Sequence, residues 1–252
     1  MEQNKQLLRD IFFREIPKAR KMSTMWKNMF EFFFDASVLA KEGTRVLNVV
    51  CTHDTSAKRE TVFKNHFFNN AEYLTVSYWA DRFEVDDEDK NNANIISGTD
   101  AARYTIPYPD NHFDVLITTK IIMEHVAEPE LILREFKRVL KPGGEAFIIA
   151  PLVRRQHQAP HDYFRFTEYG LEYLFKKVGL EKMYIKHSNG YVETATQYAY
   201  FFQRGLNIPR WLESCFDFVL RYALEPFGFL LEKLDNGYGR DFTLYFFARV
   251  KK

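Results

Sequence analysis

Residues 113–151, FDVLITTKIIMEHVAEPELILREFKRVLKPGGEAFIIAP, decide the fold of this 252-residue chain. An apolar strand over 115–118 leads into a helix over 128–140, and a tight Pro-Gly-Gly turn then leads into a second apolar strand over 146–150. A strand, a helix and a second strand in this order form one βαβ unit of a parallel sheet. The segment therefore predicts an α/β fold.

The rest of the chain repeats this alternation of strands and helices. The repetition predicts a Rossmann-like seven-stranded sheet with helices on both faces. Residues 84–94 are charged and rich in asparagine, which is typical of an exposed loop. The predicted strands lie at 46–50, 73–78, 95–96, 115–118, 146–150, 183–186 and 242–250.

The helix over 128–140 carries apolar residues at helical spacing, which predicts one buried face. In a βαβ unit, this apolar face of the helix packs against the sheet. Its predicted members are Leu131, Leu133, Phe136, Val139 and Leu140.

Three regions of one domain follow from the pattern. Residues 1–41 form an N-terminal helical cap, which either packs on the sheet or closes over a substrate as a lid. Residues 42–190 form the core. Residues 191–252 form a helical insertion, interrupted near Pro209 and Pro226, together with the closing strand.

The helix predicted over 211–231 has a single narrow polar stripe, and almost every other residue is apolar. Such a helix is expected to bury most of its circumference, against the sheet or against a partner subunit. The second alternative predicts a homo-oligomer formed through the helices of 191–235. A membrane surface is a poorer match, because the stripe is mostly acidic. The stripe consists of Glu213, Asp217, Arg221 and Glu225.

Composition excludes several classes of protein. The formal net charge is +1, so the chain has no overall field that attracts nucleic acid. Two cysteines supply neither a disulfide framework nor a zinc set. No apolar run approaches the roughly 20 residues of a transmembrane helix, and no signal peptide is recognisable at the N-terminus. We therefore expect a cytoplasmic protein.

Four short motifs resemble class I S-adenosylmethionine (SAM)-dependent methyltransferases of the type 11 group. They are PYPD at 107–110, IMEHV at 122–126, RVLKPGG at 138–144 and HDYFRFT at 161–167. The resemblance covers roughly half of the chain and implies a reversed last strand. It also implies SAM as the cofactor and methyl transfer to a small-molecule acceptor. The HDYFRFT motif resembles a run seen in members linked to sugar and envelope biosynthesis, so the acceptor is expected to be sugar-derived.

The resemblance also implies which residues bind the cofactor, and the sequence departs from the family there. The three glycine positions after the first strand hold Val50, Thr52 and Asp54, and Ser77 replaces an acidic residue. Glycine allows a positive φ and a close approach of the backbone, which a β-branched residue does not. The cofactor set is Asn48, Val50, Cys51, Thr52, His53, Ser77, Asp100, Ala101 and Thr119.

This departure leaves three functions open. A rebuilt loop can still bind SAM, because SAM has no phosphate that demands a bare backbone cradle. Alternatively, the chain is a catalytically inactive methyltransferase homologue (a pseudo-enzyme) that acts through a protein interaction. As a third alternative, the pocket serves an enzyme with a different ligand.

Methyl transfer needs little acid–base chemistry, because catalysis comes mainly from alignment and exclusion of water. A base helps only when the acceptor is protonated. The predicted catalytic residues are His125, His161 and Asp162, with Glu124 as a further orienting partner for a histidine. The alternatives are a structural role for His125 and a turn clamp formed by 161–162.

A basic group in the loop after the fifth strand predicts binding of an anionic acceptor; a solvated loop is the alternative. The predicted substrate-binding residues are Arg154, Arg155, Tyr163 and Arg165. His157, His161 and Asp162 have a spacing that suits metal ligands, but the loop offers no further ligand. We therefore predict no metal site.

Overall fold

The computed structural model describes residues 2–16, 23–51, 57–79, 82–85, 104–119, 122–232, 234 and 237–252. Within these residues, seven strands form one sheet in the order β3-β2-β1-β4-β5-β7-β6. Strand β3 is antiparallel to β2, β7 is antiparallel to both of its neighbours, and the remaining pairs are parallel. The strands are β1 Arg45–Cys51, β2 Glu72–Trp79, β3 Arg82–Val85, β4 Phe113–Ile117, β5 Leu140–Pro151, β6 Glu181–His187 and β7 Tyr245–Lys251.

Six of the predicted strands are present, and the reversed last strand is confirmed. The predicted strand at 95–96 lies outside the described residues, as does most of the predicted loop at 84–94. The loop prediction is wrong at its start, because Glu84 belongs to β3 and pairs with Ser77. The alternating residues of 82–85 suit a strand that folds back on β2 as a hairpin.

Helices cover both faces of the sheet, as predicted. Helices α4 and α5 pack on one face, and α1, α2 and α3 pack on the other. A π-helical turn at Phe63–Phe67 extends α3. The helices are α1 Glu2–Glu15, α2 Thr24–Leu39, α3 Ala57–Val62, α4 Pro129–Val139, α5 Glu168–Val178, α6 Tyr191–Arg204, α7 Arg210–Val219 and α8 Glu225–Glu232.

The N-terminal helices are part of the core. Phe33 of α2 is fully buried, and its ring centroid lies 4.5 Å from that of Phe63. Phe32, on the same helix, contacts the rings of Phe147 and Phe247 in β5 and β7 at 5.3 and 5.0 Å. The cap therefore packs on the sheet through its aromatic residues, which accounts for much of the high phenylalanine content.

Two details of the βαβ unit differ from the prediction. The buried face of α4 includes Ile132 instead of Leu131, which is 44% exposed. The predicted turn at 141–144 is a bulge inside β5, opposite Asp114. A Cβ at Gly144 would lie 3.0 Å from the carbonyl oxygen of Asp114, and Gly143 has a φ of +80°. These two glycines therefore allow the bulge to fit against β4.

Of the two predicted ways to bury the helix over 211–231, packing against the sheet is not seen among the described residues of α7, and packing against a partner subunit stays a prediction. Pro209 caps α7, as expected for a break, and a π-helical turn at Leu220–Leu224 joins α7 to α8 just before Pro226. None of the described residues of α7 is buried, and Trp211 and Phe218 are 67% and 63% exposed. The polar stripe correctly predicted helical structure here. Among the described residues, no element covers the apolar side of α7. Among the described helices, none combines the length and hydropathy that crossing a membrane requires.

Candidate functional site

Ligands of open α/β sheets bind beyond the carboxyl ends of the parallel strands. The described residues at this edge are the ends of β1 and β2, Thr119 after β4, and the loops 122–126 and 152–166. The loops after β4 and β5 are neighbours because these strands are paired. The edge therefore brings together residues that lie far apart in the sequence.

Strand β1 continues through the first of the three glycine positions. Val50 pairs with Ser77, and Cys51 pairs with Tyr78, so both residues are in extended backbone. No positive φ is required of Val50, and a β-branched residue suits the strand. Ser77 is half-buried at the neighbouring position of β2. The other predicted cofactor residues at these turns, Thr52, His53, Asp100 and Ala101, lie outside the described residues, as does Asp54.

A hydrogen-bonded network closes the space beside β1. The Thr119 hydroxyl donates to Asn48 Oδ1 at 3.0 Å or to Glu60 Oε1 at 2.8 Å, and the Asn48 side-chain amide donates to Glu60 Oε2. Asn48 and Thr119 are buried. Glu60 of α3 thus places a carboxylate beside Asn48 of β1. Their role in binding a cofactor stays a prediction.

The loop after β4 places a buried carboxylate at the edge of the sheet. Glu124 lies in the 3₁₀ turn Met123–His125 and is fully buried. Its backbone oxygen accepts a hydrogen bond from the Tyr163 amide at 2.7 Å, but its side-chain oxygens have no hydrogen-bond partner within the described part of the chain. Burial raises the pKa of Glu124 to about 7. This carboxyl group therefore takes or releases a proton near neutral pH.

Two histidines face this carboxyl group. His125 Nε2 lies 3.6 Å and His157 Nε2 lies 3.8 Å from Glu124 Oε1. The Nδ1 atom of His125 is 2.6 Å from the carbonyl oxygen of His161. Burial is the main cause that lowers the pKa of both histidines. The pKa of His157 is lowered to about 4, because the positive charge of Arg154 adds to the effect of burial. Both rings are therefore neutral at pH 7.

An ion pair fixes the loop after β5. The Arg165 guanidinium donates two hydrogen bonds to the Asp162 carboxylate, at 2.7 and 2.9 Å, and the His157 amide donates a third at 2.7 Å. Burial by itself raises the pKa of Asp162, but these hydrogen bonds outweigh burial and lower the pKa to about 2. Arg165 also donates to the carbonyl oxygens of Arg154 and Arg155. These contacts have the form of the predicted turn clamp. We call Glu124, His125, His157, Asp162 and Arg165 the Glu124 cluster.

The other predicted substrate residues surround this cluster at different depths. Arg154 is half-buried, and it donates to the Tyr245 hydroxyl. Arg155 is exposed and lies over the Phe201 ring at 5.0 Å. Tyr163 is 43% exposed, and its hydroxyl is 3.2 Å from His161 Nδ1. Arg165 is bound to Asp162, Arg154 is bound to Tyr245, and Arg155 is the exposed one of the three arginines, whose role in binding a substrate stays a prediction.

Sequence reasoning left two residues, Gln158 and Glu60, out of the site. Gln158 accepts a contact from the Cys51 thiol at 3.5 Å and so links the loop after β5 to the end of β1. Glu60 contacts Asn48 from α3. His157 was recognised by its spacing, but its partner Glu124 is 33 residues away in the chain and meets it only because β4 and β5 are paired.

Comparison with known proteins finds a family model that matches part of the chain. Residues 59–148 match the family model of a methyltransferase domain. These residues of the 252-residue chain are therefore similar to a methyltransferase domain. This match supports the resemblance carried by the three motifs between 107 and 144, which lie wholly within the matched residues, whereas the motif at 161–167 lies outside them.

Relatives with assigned activities match parts of the chain. Demethylmenaquinone methyltransferase of Listeria welshimeri is 30% identical over 132 residues, which make up 50% of this chain and 54% of that protein. The ubiquinone/menaquinone biosynthesis C-methyltransferase UbiE of Shewanella frigidimarina is 39% identical over 61 residues, 24% of each chain. The chain thus spans about half, or less, of the length of these relatives.

A solved structure supports the fold independently. A chain in the complex between the Haloferax volcanii Trm112 methyltransferase activator and a candidate methyltransferase superposes with a TM-score of 0.50. The match covers 90% of this chain and 91% of that chain at 14% identity. At this identity the likeness shows the fold, and the predicted Rossmann-like architecture is confirmed.

Proposed function

We propose that this protein transfers the methyl group of SAM to a small-molecule acceptor. The observation that carries the proposal is the Glu124 cluster, which lies beyond the paired carboxyl ends of β4 and β5. The matched residues 59–148 include Glu124 and His125 of this cluster. This is the edge at which open α/β sheets bind their ligands. The named activities of the partial relatives support the same reaction class.

The described residues at the ends of β1 and β2 are compatible with an adenosyl ligand. Val50 lies two residues after Asn48, so strand alternation directs its side chain to the α3 face and not across the edge. Ser77 provides a hydroxyl group one strand away. We propose that Ser77 binds the ribose and that the turn after Cys51 holds the amino-acid end. When bound, SAM supplies an electrophilic methyl group.

Within this proposal, the loop after β5 binds and deprotonates the acceptor. His161 is half-buried and lies beside the exposed Tyr163, whereas His125 and Asp162 are held by contacts within the Glu124 cluster. We therefore assign His161 as the base and the other two as positioning residues. The exposed Arg155 supplies the charge for an anionic, sugar-derived acceptor.

Labelled methyl transfer tests this function. The full chain is incubated with SAM carrying a labelled methyl group and with two acceptor pools, sugar phosphates and quinols, because the relatives are named for quinone methylation. The His161→Ala variant is expected to lower kcat about 100-fold, the usual contribution of a positioned base. His187→Ala, in β6 away from the site, is the control. An unchanged rate in the His161 variant would rule out its role as the base.

The exposed helices favour a second candidate function, docking through a second copy of the chain. The observation is that α7 has no buried residue among those described, although its sequence is largely apolar. An exposed apolar face of this kind usually marks an interaction surface. In this alternative the fold serves as a scaffold, as in a pseudo-enzyme.

Light scattering after gel filtration tests this surface. We expect the wild-type chain to form a dimer, and Phe218→Glu or Phe227→Glu to shift it to the monomer. Both side chains are well exposed, at 63% and 58%, so the substitutions leave the core intact. Tyr173→Glu on α5, where the side chain is 64% exposed, is the matched control and should keep the dimer. A monomeric wild-type chain would contradict the dimer.

A further inference from the structure

We propose that Glu124, His125 and His157 bind a divalent transition-metal ion, for which Zn²⁺ is the representative. One ligand atom from each residue lies within 4.8 Å of the other two. Two histidines and one carboxylate are an established donor set for zinc and related ions. The sequence alone argued against a metal site because the loop 157–162 lacks a further ligand, but the missing ligands come from the loop after β4.

The hydrogen bonds of the two rings place the ring hydrogen on Nδ1, so each Nε2 atom keeps a lone pair that can bind a metal. His125 Nδ1 is 2.6 Å from the His161 carbonyl oxygen, so Nδ1 carries the hydrogen. His157 Nδ1 is 3.3 Å from the Arg155 carbonyl oxygen and 3.5 Å from Asp162 Oδ2, so the same holds there. Both Nε2 atoms then face Glu124 Oε1, which is also an acceptor.

Three acceptors that face one another need a cation between them. The Glu124 side-chain oxygens are buried and, among the described residues, have no donor. A buried carboxylate without a hydrogen-bond partner or counter-ion raises the free energy of the fold, so native structures rarely contain one that has no role. A metal ion would satisfy all three atoms at once.

The two nitrogen–oxygen distances are close to those of a metal site, and the two histidine nitrogens lie within 4.8 Å of each other. With metal–ligand bonds of about 2.0–2.1 Å, the ligand atoms of a tetrahedral zinc site lie about 3.3 Å apart. The nitrogen–oxygen distances of 3.6 and 3.8 Å need to shorten by only a few tenths of an ångström. A carboxylate or carbonyl behind each histidine is the usual support of such ligands, and Asp162 and the His161 carbonyl have these positions.

The surroundings allow an ion to enter. The His157 side chain is 16% exposed, which gives access from solvent, and three protein ligands leave one position for water. Asp162 neutralises Arg165 in the adjacent ion pair. A bound ion would tie the loop after β4 to the loop after β5. The competing occupant is a single proton on Glu124.

Zinc titration distinguishes the ion from the proton. The full chain is prepared without a histidine tag and in a Cys215→Ser background, because this exposed thiol could bind zinc itself. After dialysis against a chelator, calorimetry with Zn²⁺ is expected to show one equivalent with a Kd below about 1 μM. His157→Ala should weaken binding at least about 100-fold, since losing even a hydrogen-bond partner behind a ligand costs about 10–100-fold. His187→Ala should bind as the parent does.

A second variant distinguishes loss of metal binding from loss of folding. Glu124→Gln keeps the shape of the side chain, and circular dichroism of the metal-free variants checks that each is folded. Weak binding in folded Glu124→Gln and His157→Ala supports the site. Absence of stoichiometric zinc binding in the parent chain, or equal binding in the folded variants, overturns it and assigns the space to a proton. The readout does not depend on methyl transfer, so it is independent of the proposed function.

Discussion

Replacing Asp162 by asparagine is expected to lower the free energy of unfolding by about 2–3 kcal/mol. The substitution removes the charge that faces Arg165 while keeping the shape of the side chain. The Asp162 side chain is only 2% exposed, and Arg165 is 25% exposed, so solvent screens the pair weakly. The guanidinium would be left without its counter-ion inside the loop that carries His157 and His161.

Urea unfolding at pH 7, followed by circular dichroism, measures this loss. The pKa of Asp162 is lowered to about 2 in the fold, against about 3.9 in an unfolded chain. The stabilisation is therefore complete above about pH 4 and disappears as the pH falls through about 2, so pH 7 samples all of it. Asp110→Asn removes a pair with Arg138 in which Asp110 is 68% exposed, and it should cost no more than about 1 kcal/mol. Equal effects of the two variants would contradict the clamp.

Replacing Phe33 by alanine is expected to cost about 3–5 kcal/mol, the usual range for a fully buried phenylalanine. The ring contacts Phe63 at the end of α3 and Phe32 on its own helix, at 4.5 and 5.4 Å between centroids. Its removal leaves a cavity between the N-terminal helices and the sheet, because the aromatic neighbours are held by many contacts and collapse only partly.

The matched control for Phe33 lies on the same helix. Val38 is 45% exposed, and Val38→Ala should change the free energy of unfolding by less than about 0.5 kcal/mol. Both variants are compared in urea with the wild-type chain. If α1 and α2 were a separate lid, Phe33→Ala would leave the main unfolding transition in place and add an early one. A single transition shifted to lower urea confirms that the cap is part of the core.

The fold was largely predictable because hydrophobic periodicity determines it. The strands and helices of 113–151 follow from patterns of period 2 and 3.6. The phase of α4 was less certain, because Leu131, Ile132 and Leu133 are adjacent apolar residues and only tertiary packing decides which of them is buried. The bulge at Gly143 and Gly144 also depends on a neighbour, since its geometry is set by the backbone of Asp114.

The site was less predictable than the fold, because its contacts join different strands. His125 and His161 were predicted from their motifs and do lie together. The meeting of Glu124 with His157 depends on the pairing of β4 with β5, which no local pattern contains. Glu60 has no distinctive sequence around it, and its contact with Asn48 depends on how α3 packs.

The sequence of α7 predicts that the helix is apolar, but it does not predict what covers the helix. The sequence predicts an apolar helix that needs a cover, and the described residues of the chain do not supply one. Amphipathic patterns report how much of a helix is apolar, but they do not identify the surface that buries it. A partner surface that covers α7 therefore stays a prediction.

Binding of the demethylated cofactor, S-adenosylhomocysteine, tests the central claim most directly, because it needs no knowledge of the acceptor. Calorimetric titration of the full chain should show one site of micromolar affinity. Ser77→Ala should weaken it about 5–10-fold, as expected for one neutral hydrogen bond, whereas Ser214→Ala on exposed α7 should not. Absence of any heat or thermal shift with both SAM and S-adenosylhomocysteine would contradict the account and leave a methyltransferase fold without its cofactor.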